Sequence, residues 1–235
     1  MRLFPRAKRS YIVISVGGSL LVPDQIDIEF LRAFRTTLLD LVQQGFSFYI
    51  IAGGGKLARN YQHAAEHIRG DLHSEDLDWL GIHATRLNAH LLRALFKEQA
   101  QARIIKNPLR GGAPRSSIVI GAGWKPGWST DYCAVLAARR LGATRLINLS
   151  NVDYVYDKNP NEFPDATKIE TIDWKTFRTL IPDHWDPGLS SPFDPIAAKE
   201  AEHLGLEVAV LNGRSLDEFK KYLLGEKFMG TVISP

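Results

Sequence analysis

The sequence predicts an α/β protein with a mostly parallel central sheet. Short apolar runs, typical of buried strands, alternate along the chain with longer segments in which apolar residues recur every three or four positions, as they do in helices. Glycine-rich turns directly follow three of the apolar runs, at 17–18, 53–55 and 121–123. Because parallel strands joined through helices end at one edge of the sheet, we expect ligands to bind at these carboxyl ends.

The first half of the chain alternates between strand and helix patterns. The clearest helix, at 27–44, carries its apolar residues on one stripe and closes at Gly45. The elements predicted in this half are a strand at 11–16, the helix at 27–44, a strand at 48–52, a helix through 57–65, a loop at 73–76, a long helix at 77–100 and a short strand at 103–105.

The second half continues the alternation and contains two recognisable helix starts. Asp194 followed by Pro195 places an N-cap before a proline of the first turn. Ser215 and Glu218 have the spacing of a capping box. The elements predicted here are a strand at 117–120, a helix at 130–141, a strand at 145–149, a polar surface loop at 150–160, a short helix at 174–180, a mobile segment at 181–193, a strand at 207–211 and a closing strand at 230–233.

The composition is that of a globular protein with a substantial core. The chain has 235 residues, enough for one large domain or two small ones, and 45% of them are hydrophobic. The net charge of +3 is small and the basic residues are interspersed with acidic ones, so we predict no nucleic-acid-binding surface. No run is long and apolar enough to predict a membrane span. A short basic N-terminal arm (Arg2, Arg6, Lys8 and Arg9) lacks the apolar segment of a signal peptide, which argues against export.

The cysteine and histidine content predicts neither a disulfide nor a metal site. Cys133 is the only cysteine and cannot form a disulfide within the chain, which favours a reducing cytoplasm. Its place in an apolar helix favours packing over nucleophilic catalysis. His63 and His67 lie four residues apart on one predicted helix, but no third ligand is evident, so we predict a solvated helix face there.

The turn formed by Gly53, Gly54 and Gly55 is a candidate anion site. It joins a buried strand to a helix, so glycine allows the backbone to approach a ligand while free N–H groups at the helix start point towards negative charge. Lys56 and Arg59 follow and can both reach towards that anion. The alternative is a plain strand-to-helix turn that needs glycine only for its dihedral angles.

Two common nucleotide-binding motifs do not match. A Walker loop ending at Lys56 would need glycine at Ile50 and serine or threonine at Leu57. The glycines of 121–127 miss the Rossmann spacing by one residue, and no acidic ribose ligand clearly follows them. The sequence therefore does not predict a nicotinamide cofactor.

Seven short motifs nevertheless stand in the order found in a known family, and they span nearly the whole chain. They are VGGSL at 16–20, GGGKLAR at 53–59, DWLGIHATRLNA at 78–89, STD at 129–131, NVD at 151–153, Tyr156, and SSPFDPIAAK at 190–199. Each motif is weak alone. The ordered set resembles the amino acid kinase superfamily and, within it, the uridylate (UMP) kinases, especially the short archaeal type.

The resemblance implies a three-layer α/β/α sandwich forming a single domain over residues 1–235. Its acceptor-binding part would cover about 10–130 and its ATP-binding part about 131–235. It also implies transfer of the γ-phosphoryl group of MgATP to UMP, with Mg²⁺ carried by ATP, in a cytoplasmic homo-oligomer that would be a hexamer. Such chemistry needs positioned cations rather than a strong nucleophile, because the acceptor is already an ionised phosphate.

The resemblance further assigns roles to individual residues. The residues implied to lie along ATP and the phosphoryl path are Gly17, Gly18, Ser19, Asn151, Tyr156 and Asp157. The residues implied to hold UMP are Gly53, Gly54, Arg59, Asp78 and Thr130. Gly54 and Arg59 would lie nearest the UMP phosphate, and Asp78 on the ribose. Asp131 would organise the centre, and Lys199 would neutralise charge on the transferred group.

Four of these residues also have a purely structural interpretation. Lys199 is compatible with a solvated helix face, and Asp131 with a first-turn charge that favours the helix dipole. Asp78 is compatible with a cap of the long helix, and Tyr156 with a core position. These alternatives stay open at the level of the sequence.

The chain departs from the family pattern at four places. Most superfamily members carry a lysine where Ser15 stands, two residues before the first glycine pair, although the archaeal-type enzymes also lack it. Tyr154 replaces a glycine, Asn159 replaces an aspartate, and the loop at 124–128 is unusually aromatic. We expect Lys56 to supply the cation missing at Ser15, because its glycine turn should face the first one across adjacent strands.

Two other functions are compatible with the same fold. A carboxylate or carbamate kinase would use a different acceptor, and both Arg59 and the stretch 78–88 argue against it. A non-catalytic nucleotide- or oxyanion-binding protein, similar to the molybdenum storage proteins of the superfamily, is favoured by the missing lysine. Lys199 and Asp131 argue against that second alternative.

Overall fold

The computed structural model describes residues 9–111, 114–160, 162–183 and 191–235. Arg2, Arg6 and Lys8 of the basic arm therefore lie outside the described residues. The same is true of 184–190, which covers most of the segment predicted to be mobile and the first serine of the last motif.

The strands form one large sheet and a small hairpin. They are β1 (Ile12–Val16), β2 (Phe48–Ala52), β3 (Ile118–Gly121), β4 (Arg145–Ser150), β5 (Val155–Tyr156), β6 (Lys168–Ile169), β7 (Thr171–Asp173), β8 (Glu207–Asn212) and β9 (Thr231–Ser234). The seven-stranded sheet has the order β3-β2-β1-β4-β8-β9-β7, and β5 pairs separately with β6. Among the described strands of the large sheet only β8 and β9 pair antiparallel, so the predicted mostly parallel sheet is confirmed.

Helices cover both faces of the sheet. They are α1 (Gly18–Leu21), α2 (Ile28–Gln43), α3 (Gly55–Ile68), α4 (Ser74–Leu95), α5 (Thr130–Leu141), α6 (Trp174–Thr179), α7 (Pro195–His203) and α8 (Leu216–Leu224). Side chains of α2, α4 and α8 build the apolar core on one face, and those of α5, α6 and α7 build the core on the other. This arrangement confirms the three-layer α/β/α sandwich. None of the described helices is long and apolar enough to cross a bilayer.

Strand β1 shows why the central strands appear in the sequence as continuous apolar runs. Ile14 and Val16 contribute to the core beneath α2, whereas Val13 contributes to the core beneath α5. A parallel strand covered by helices on both faces must be apolar on both faces. Ser15 is the exception on this strand, since it is polar and yet only 1% exposed.

The large sheet has a switch point beside β1. The chain places β2 and β3 on one side of β1, and then β4 and β8 on the other. These five strands are parallel, so the turns that follow them meet at a single edge. A change of direction in such a sheet opens a crevice at the carboxyl ends of the strands, where ligands bind.

Two predictions around α4 were wrong. The helix already begins at Ser74, within the predicted loop, and it ends at Leu95 rather than at residue 100. Glu75 and Asp76 place negative charge on its first turn, which favours an early start. The predicted strand at 103–105 is reduced to an isolated bridge to β3.

The predicted capping box at the start of α8 does not form. Ser215 is the N-cap residue, but its side chain makes no capping hydrogen bond. The Glu218 carboxylate instead accepts hydrogen bonds from Lys221 (2.8 Å) and from the backbone nitrogen of Met229 (2.6 Å). A tertiary partner from the segment after the helix therefore displaces the local motif.

Candidate functional site

The glycine turns after β1 and β2 pack backbone against backbone. The nitrogen of Gly53 donates to the carbonyl of Val16 over 2.9 Å. A Cβ on Gly18 would overlap the backbone nitrogen of Gly55, and a Cβ on Gly53 would overlap the nitrogen of Gly18. Gly55 also has a φ of +67°, in the left-handed region. The two turns can therefore meet only because they lack side chains.

Asn88 of α4 holds the glycine turn that follows β2. Its buried amide nitrogen donates to the carbonyls of Gly53 (2.8 Å) and Gly54 (3.1 Å). This role of Asn88 was not predicted from the sequence. The available signal was helical spacing, because Asp78, Thr85 and Asn88 recur on one face of α4.

A cavity of about 260 Å³ opens between the second glycine turn, α3, α4 and the start of α5. Five predicted site residues line it: Gly54, Arg59, Asp78, Thr130 and Asp131. The lining also includes residues that the sequence analysis did not place there, among them Gln62, Thr85, Trp128, Ser191 and Asp194. The predicted Gly53 does not line the cavity; it lies behind the wall, where Asn88 holds its carbonyl.

The unusually aromatic loop at 124–128 forms one side of this cavity and is tied to α4. The backbone nitrogen of Gly127 donates to Oδ2 of Asp78 over 2.6 Å, and the nitrogen of Gly123 donates to Oγ1 of Thr85 over 2.8 Å. Asp78 therefore holds the loop with one oxygen. Its other oxygen, Oδ1, has no hydrogen-bond partner within the described part of the chain.

The rings of this loop are packed against one another beside the cavity. Trp128 lines the cavity and lies 4.7 Å from Trp124 and 4.6 Å from Tyr132, measured between ring centroids. The Lys125 ammonium lies 4.3 Å from the centroid of the Trp128 ring. Such contacts hold an aromatic ring in one orientation, so Trp128 offers the cavity a fixed flat wall.

Two carboxylates and a hydroxyl meet at the inner end of the cavity. Ser15 Oγ donates to Oδ1 of Asp131 over 2.7 Å, and the backbone nitrogen of Asp194 donates to Oδ2 of Asp131 over 3.3 Å. Oδ1 of Asp194 accepts from the nitrogen of Ala197 (2.6 Å), as predicted for the cap of α7. Oδ2 of Asp194 is buried and makes no hydrogen bond of acceptable geometry with the described residues, although the nearby Ser129 side chain acts to lower the pKa of this carboxyl.

Burial makes both carboxyl groups hard to ionise. Asp194 is only 5% exposed, and desolvation, reinforced by the nearby charge of Asp131, raises its pKa to about 6. Desolvation also raises the pKa of Asp131, against the hydrogen bond from Ser15, which favours the ionised form. A carboxyl oxygen without a hydrogen bond from the described residues and a costly pair of charges suit a site that receives a cation.

A second cavity, of about 310 Å³, lies beyond β4 along the β5–β6 hairpin. Asn151 and Tyr156 line it, whereas the predicted Asp157 does not and instead accepts a hydrogen bond from the nitrogen of Thr167 over 2.8 Å. Ser191 lines both cavities. The two spaces are therefore neighbours.

The first glycine turn stands between the two cavities. Gly17 donates to the carbonyl of Leu149 over 2.8 Å, and its ideal Cβ position is 3.7 Å from the Cα of Ser150, which lines the second cavity. Gly18 packs on Gly55, which lines the first cavity. This is the arrangement expected of a phosphoryl-transfer site with separate acceptor and donor spaces.

The family model for the amino acid kinase family matches residues 10–113 and 114–212. The chain belongs to the amino acid kinase family. The uridylate kinase of Methanocorpusculum labreanum is 32% identical over 225 residues, covering 94% of each chain. The uridylate kinase of Thermococcus kodakarensis is also 32% identical, covering 95% of this chain and 99% of the relative. The crystal structure of uridylate kinase from Archaeoglobus fulgidus superposes with a TM-score of 0.80 at 30% identity, covering 95% of this chain and 99% of that one.

The three cations predicted for this amino acid kinase have different surroundings. Arg59 is exposed, lines the first cavity and has no ion-pair partner in the described part of the chain. Lys199 is exposed on α7 and lines neither cavity. Lys56 is exposed and forms an ion pair with Asp24, while its backbone nitrogen donates to the carbonyl of Val22 over 2.9 Å.

Proposed function

We propose that this member of the amino acid kinase family is a UMP kinase, which transfers the γ-phosphoryl group of MgATP to UMP and releases ADP and UDP. The observation that carries the proposal is the pair of neighbouring cavities, separated by a glycine turn at the switch point of the sheet. The choice of acceptor is supported by relatives named uridylate kinase that match over nearly their full length.

The first cavity is assigned to UMP. The Arg59 guanidinium would bind the UMP phosphate in a bidentate, charge-assisted contact. Gly54, at the start of α3, adds backbone N–H groups at a helix end that attracts anions. Oδ1 of Asp78, which has no hydrogen-bond partner among the described residues, would accept from a ribose hydroxyl, and Thr130 would complete the polar wall.

The second cavity is assigned to ATP. Asn151 and Tyr156 would contact the nucleoside part, and Asp157 would keep the hairpin in place through Thr167. The ATP phosphates would then run past the first glycine turn, 17–19, towards the acceptor. Because Gly17 and Gly18 have no side chains and Ser19 has a small one, the turn allows the donor and acceptor phosphates to approach each other.

Catalysis would depend on positive charge placed around the transferring group. Lys199 and Lys56 are the proposed protein cations, and Asp131 would organise the centre. The carboxylates of Asp131 and Asp194 are hard oxygen donors that fit the Mg²⁺ that accompanies ATP, and Oδ2 of Asp194 makes no hydrogen bond with the residues that the structure describes. Bound there, Mg²⁺ would neutralise charge on the phosphates during transfer.

These assignments divide the chain into an acceptor-binding part and an ATP-binding part. The acceptor part, at about 10–130, and the ATP part, at about 131–235, would form one domain. Asp194 and Ser191, from the ATP part, also line the acceptor cavity, so the reaction would occur where the parts join. The homo-oligomer, hexameric by the resemblance, and the cytoplasmic location remain predictions.

A panel of nucleoside monophosphates tests the function directly. ADP release would be measured with MgATP and each of UMP, dUMP, CMP, AMP and GMP. We expect UMP to give the highest kcat/KM. Absence of turnover with UMP above background, from a folded sample, would exclude the proposal, and molybdenum in the purified protein would favour an oxyanion-storage role instead.

A further inference from the structure

Tyr154 lies in the wall of the second cavity, at a position where the resemblance leads us to expect glycine. Its side chain is half-buried. No non-glycine residue in the described part of the chain has a positive φ, so Tyr154 occupies this position without backbone strain. The chain therefore places an aromatic ring where the resemblance leads us to expect no side chain.

The backbone directs two tyrosines into the same cavity. Tyr154 lies at a bend directly before β5, and Tyr156 is the last residue of that strand. Val155, between them, is 1% exposed and packs in the core, and its nitrogen donates to Oγ1 of Thr231 over 2.8 Å. Because Val155 anchors the segment in the core, both rings line the cavity.

The neighbouring strand holds the ring of Tyr154. The Lys168 ammonium lies over this ring, 4.7 Å from its centroid, and also pairs with Oε1 of Glu170 at 3.0 Å. A cation above the ring restrains its orientation. Lys168 covers one face of the ring, so a planar ligand can stack only on the opposite face.

The rest of the lining suits a flat group with apolar faces and a polar edge. Val152, Leu180 and Pro192 supply apolar surface, while Ser150 and Asn151 supply hydrogen-bonding groups. Nucleobases have this combination, and aromatic side chains bind them by stacking. Stacking becomes more favourable as the overlapping ring area grows, which favours purines over pyrimidines.

We propose that Tyr154 is a specificity-determining residue that stacks on the base of the donor nucleotide and favours purine donors. The inference rests on the proposed function, because it takes the second cavity as the donor site. It goes beyond that function by giving this chain a donor contact that glycine at the same position cannot make.

Calorimetric titration provides the test, because it measures binding without turnover. ADP, CDP and inorganic tripolyphosphate would each be titrated into the wild type and into Tyr154→Gly and Tyr154→Phe. We expect Tyr154→Gly to bind ADP about fivefold more weakly or worse, with a smaller loss for CDP. Tripolyphosphate has no base, so its affinity should be the same in all three proteins, and Tyr154→Phe should keep the ADP affinity of the wild type.

Two results would overturn the inference. One is an unchanged ADP affinity in Tyr154→Gly, and the other is an equal loss for ADP and tripolyphosphate, which would place the effect on the phosphates. If Tyr154→Gly does not fold, Tyr154→Leu replaces it, since leucine keeps apolar bulk without an aromatic face. A protein that binds ADP through Tyr154 but does not phosphorylate UMP would refute the proposed function and leave this inference standing.

Discussion

The hydroxyl of Ser15 donates a hydrogen bond of 2.7 Å to Oδ1 of Asp131. The two residues are 116 positions apart, and Ser15 reaches Asp131 from the middle of the sheet. Most members of the superfamily have a lysine at the position of Ser15. In this chain the carboxylate therefore has a neutral partner, and the positive charge that phosphoryl transfer needs must come from other residues or from Mg²⁺.

Lys56 is the proposed replacement for the missing lysine, and its ion pair with Asp24 competes with that role. We expect Lys56→Ala to lower kcat about 10²-fold if the ammonium stabilises developing charge. Ser15→Lys should restore part of the loss in that background, because it places an ammonium beside Asp131. Asp24→Asn, which releases Lys56 from its ion pair, should leave kcat unchanged or raise it.

Steady-state kinetics of the single and double variants decide this prediction. A wild-type kcat in Lys56→Ala would restrict Lys56 to its surface ion pair with Asp24. Purely additive effects of the Lys56 and Ser15 substitutions would mean that the two positions do not serve one centre.

Arg59 is expected to control the affinity for UMP. Charge-assisted hydrogen bonds contribute about 1.5–3 kcal/mol, so Arg59→Ala should weaken UMP binding roughly tenfold or more while ADP binding is retained. Arg59→Lys should recover only part of the affinity, because lysine cannot make a bidentate contact. Calorimetry measures both ligands, and Arg32→Ala, which removes an exposed arginine of α2, is the control. If Arg59→Ala binds UMP with the affinity of the wild type, Arg59 does not contact the UMP phosphate.

Lys199 is expected to act on the transition state. Its charge would meet the negative charge that moves between donor and acceptor, so Lys199→Ala should lower kcat by more than it raises either KM. Lys220→Ala, on α8, provides a matched control on a different helix. An effect limited to the KM of one nucleotide would reassign Lys199 to ground-state binding.

Asp194 should make the folded protein less stable as the pH rises. Burial raises its pKa from 3.8 to about 6, so between these values the folded protein binds more protons than the unfolded chain. The free energy of unfolding therefore falls as the pH rises through this window, by up to roughly 3 kcal/mol. Asp194→Asn keeps a good N-cap without the charge, so it should be more stable than the wild type at pH 8 and similar to it near pH 4.

Urea denaturation of both proteins across this pH range measures the effect. Asp173 is a control in which the pKa shift has the opposite sign. It is the solvent-exposed N-cap of α6, and the hydrogen bond from the Thr176 nitrogen lowers its pKa. Asp173→Asn should lose stability at neutral pH rather than gain it. The prediction would be contradicted if the difference in the free energy of unfolding between the wild type and Asp194→Asn were the same at pH 4 and pH 8.

Gly18 should not tolerate even a methyl group. Its Cβ would overlap the backbone of Gly55, so Gly18→Ala must push the two glycine turns apart, and overpacking of this kind typically costs about 1–3 kcal/mol. Gly70→Ala is the matched control, since a Cβ there has no neighbour within 4 Å. Thermal unfolding compares the two variants, and equal melting temperatures would show that the turns can separate without cost.

The alternation of strand and helix patterns by itself predicted a mostly parallel sheet and the sheet edge at which ligands are expected, and the resemblance added the three layers. Strands covered on both faces are apolar on both faces, as β2 is throughout and β1 is apart from Ser15, and that pattern is visible without the fold. Glycine directly after such a strand marks a turn that approaches another backbone or a ligand. The order of the motifs then predicted which turns belong to one site, and the predicted mostly parallel sheet was confirmed.

Only the tertiary structure decided which side chains meet. The contact of Ser15 with Asp131, the support of Gly53 by Asn88 and the pairing of Lys56 with Asp24 each join residues more than 30 positions apart. Such contacts depend on how helices pack on the sheet, and no local pattern specifies that packing. Local motifs predicted contacts with mixed results. The N-cap at Asp194 forms as predicted, whereas at the start of α8 the carboxylate of Glu218 accepts from the nitrogen of Met229 instead of completing the capping box with Ser215.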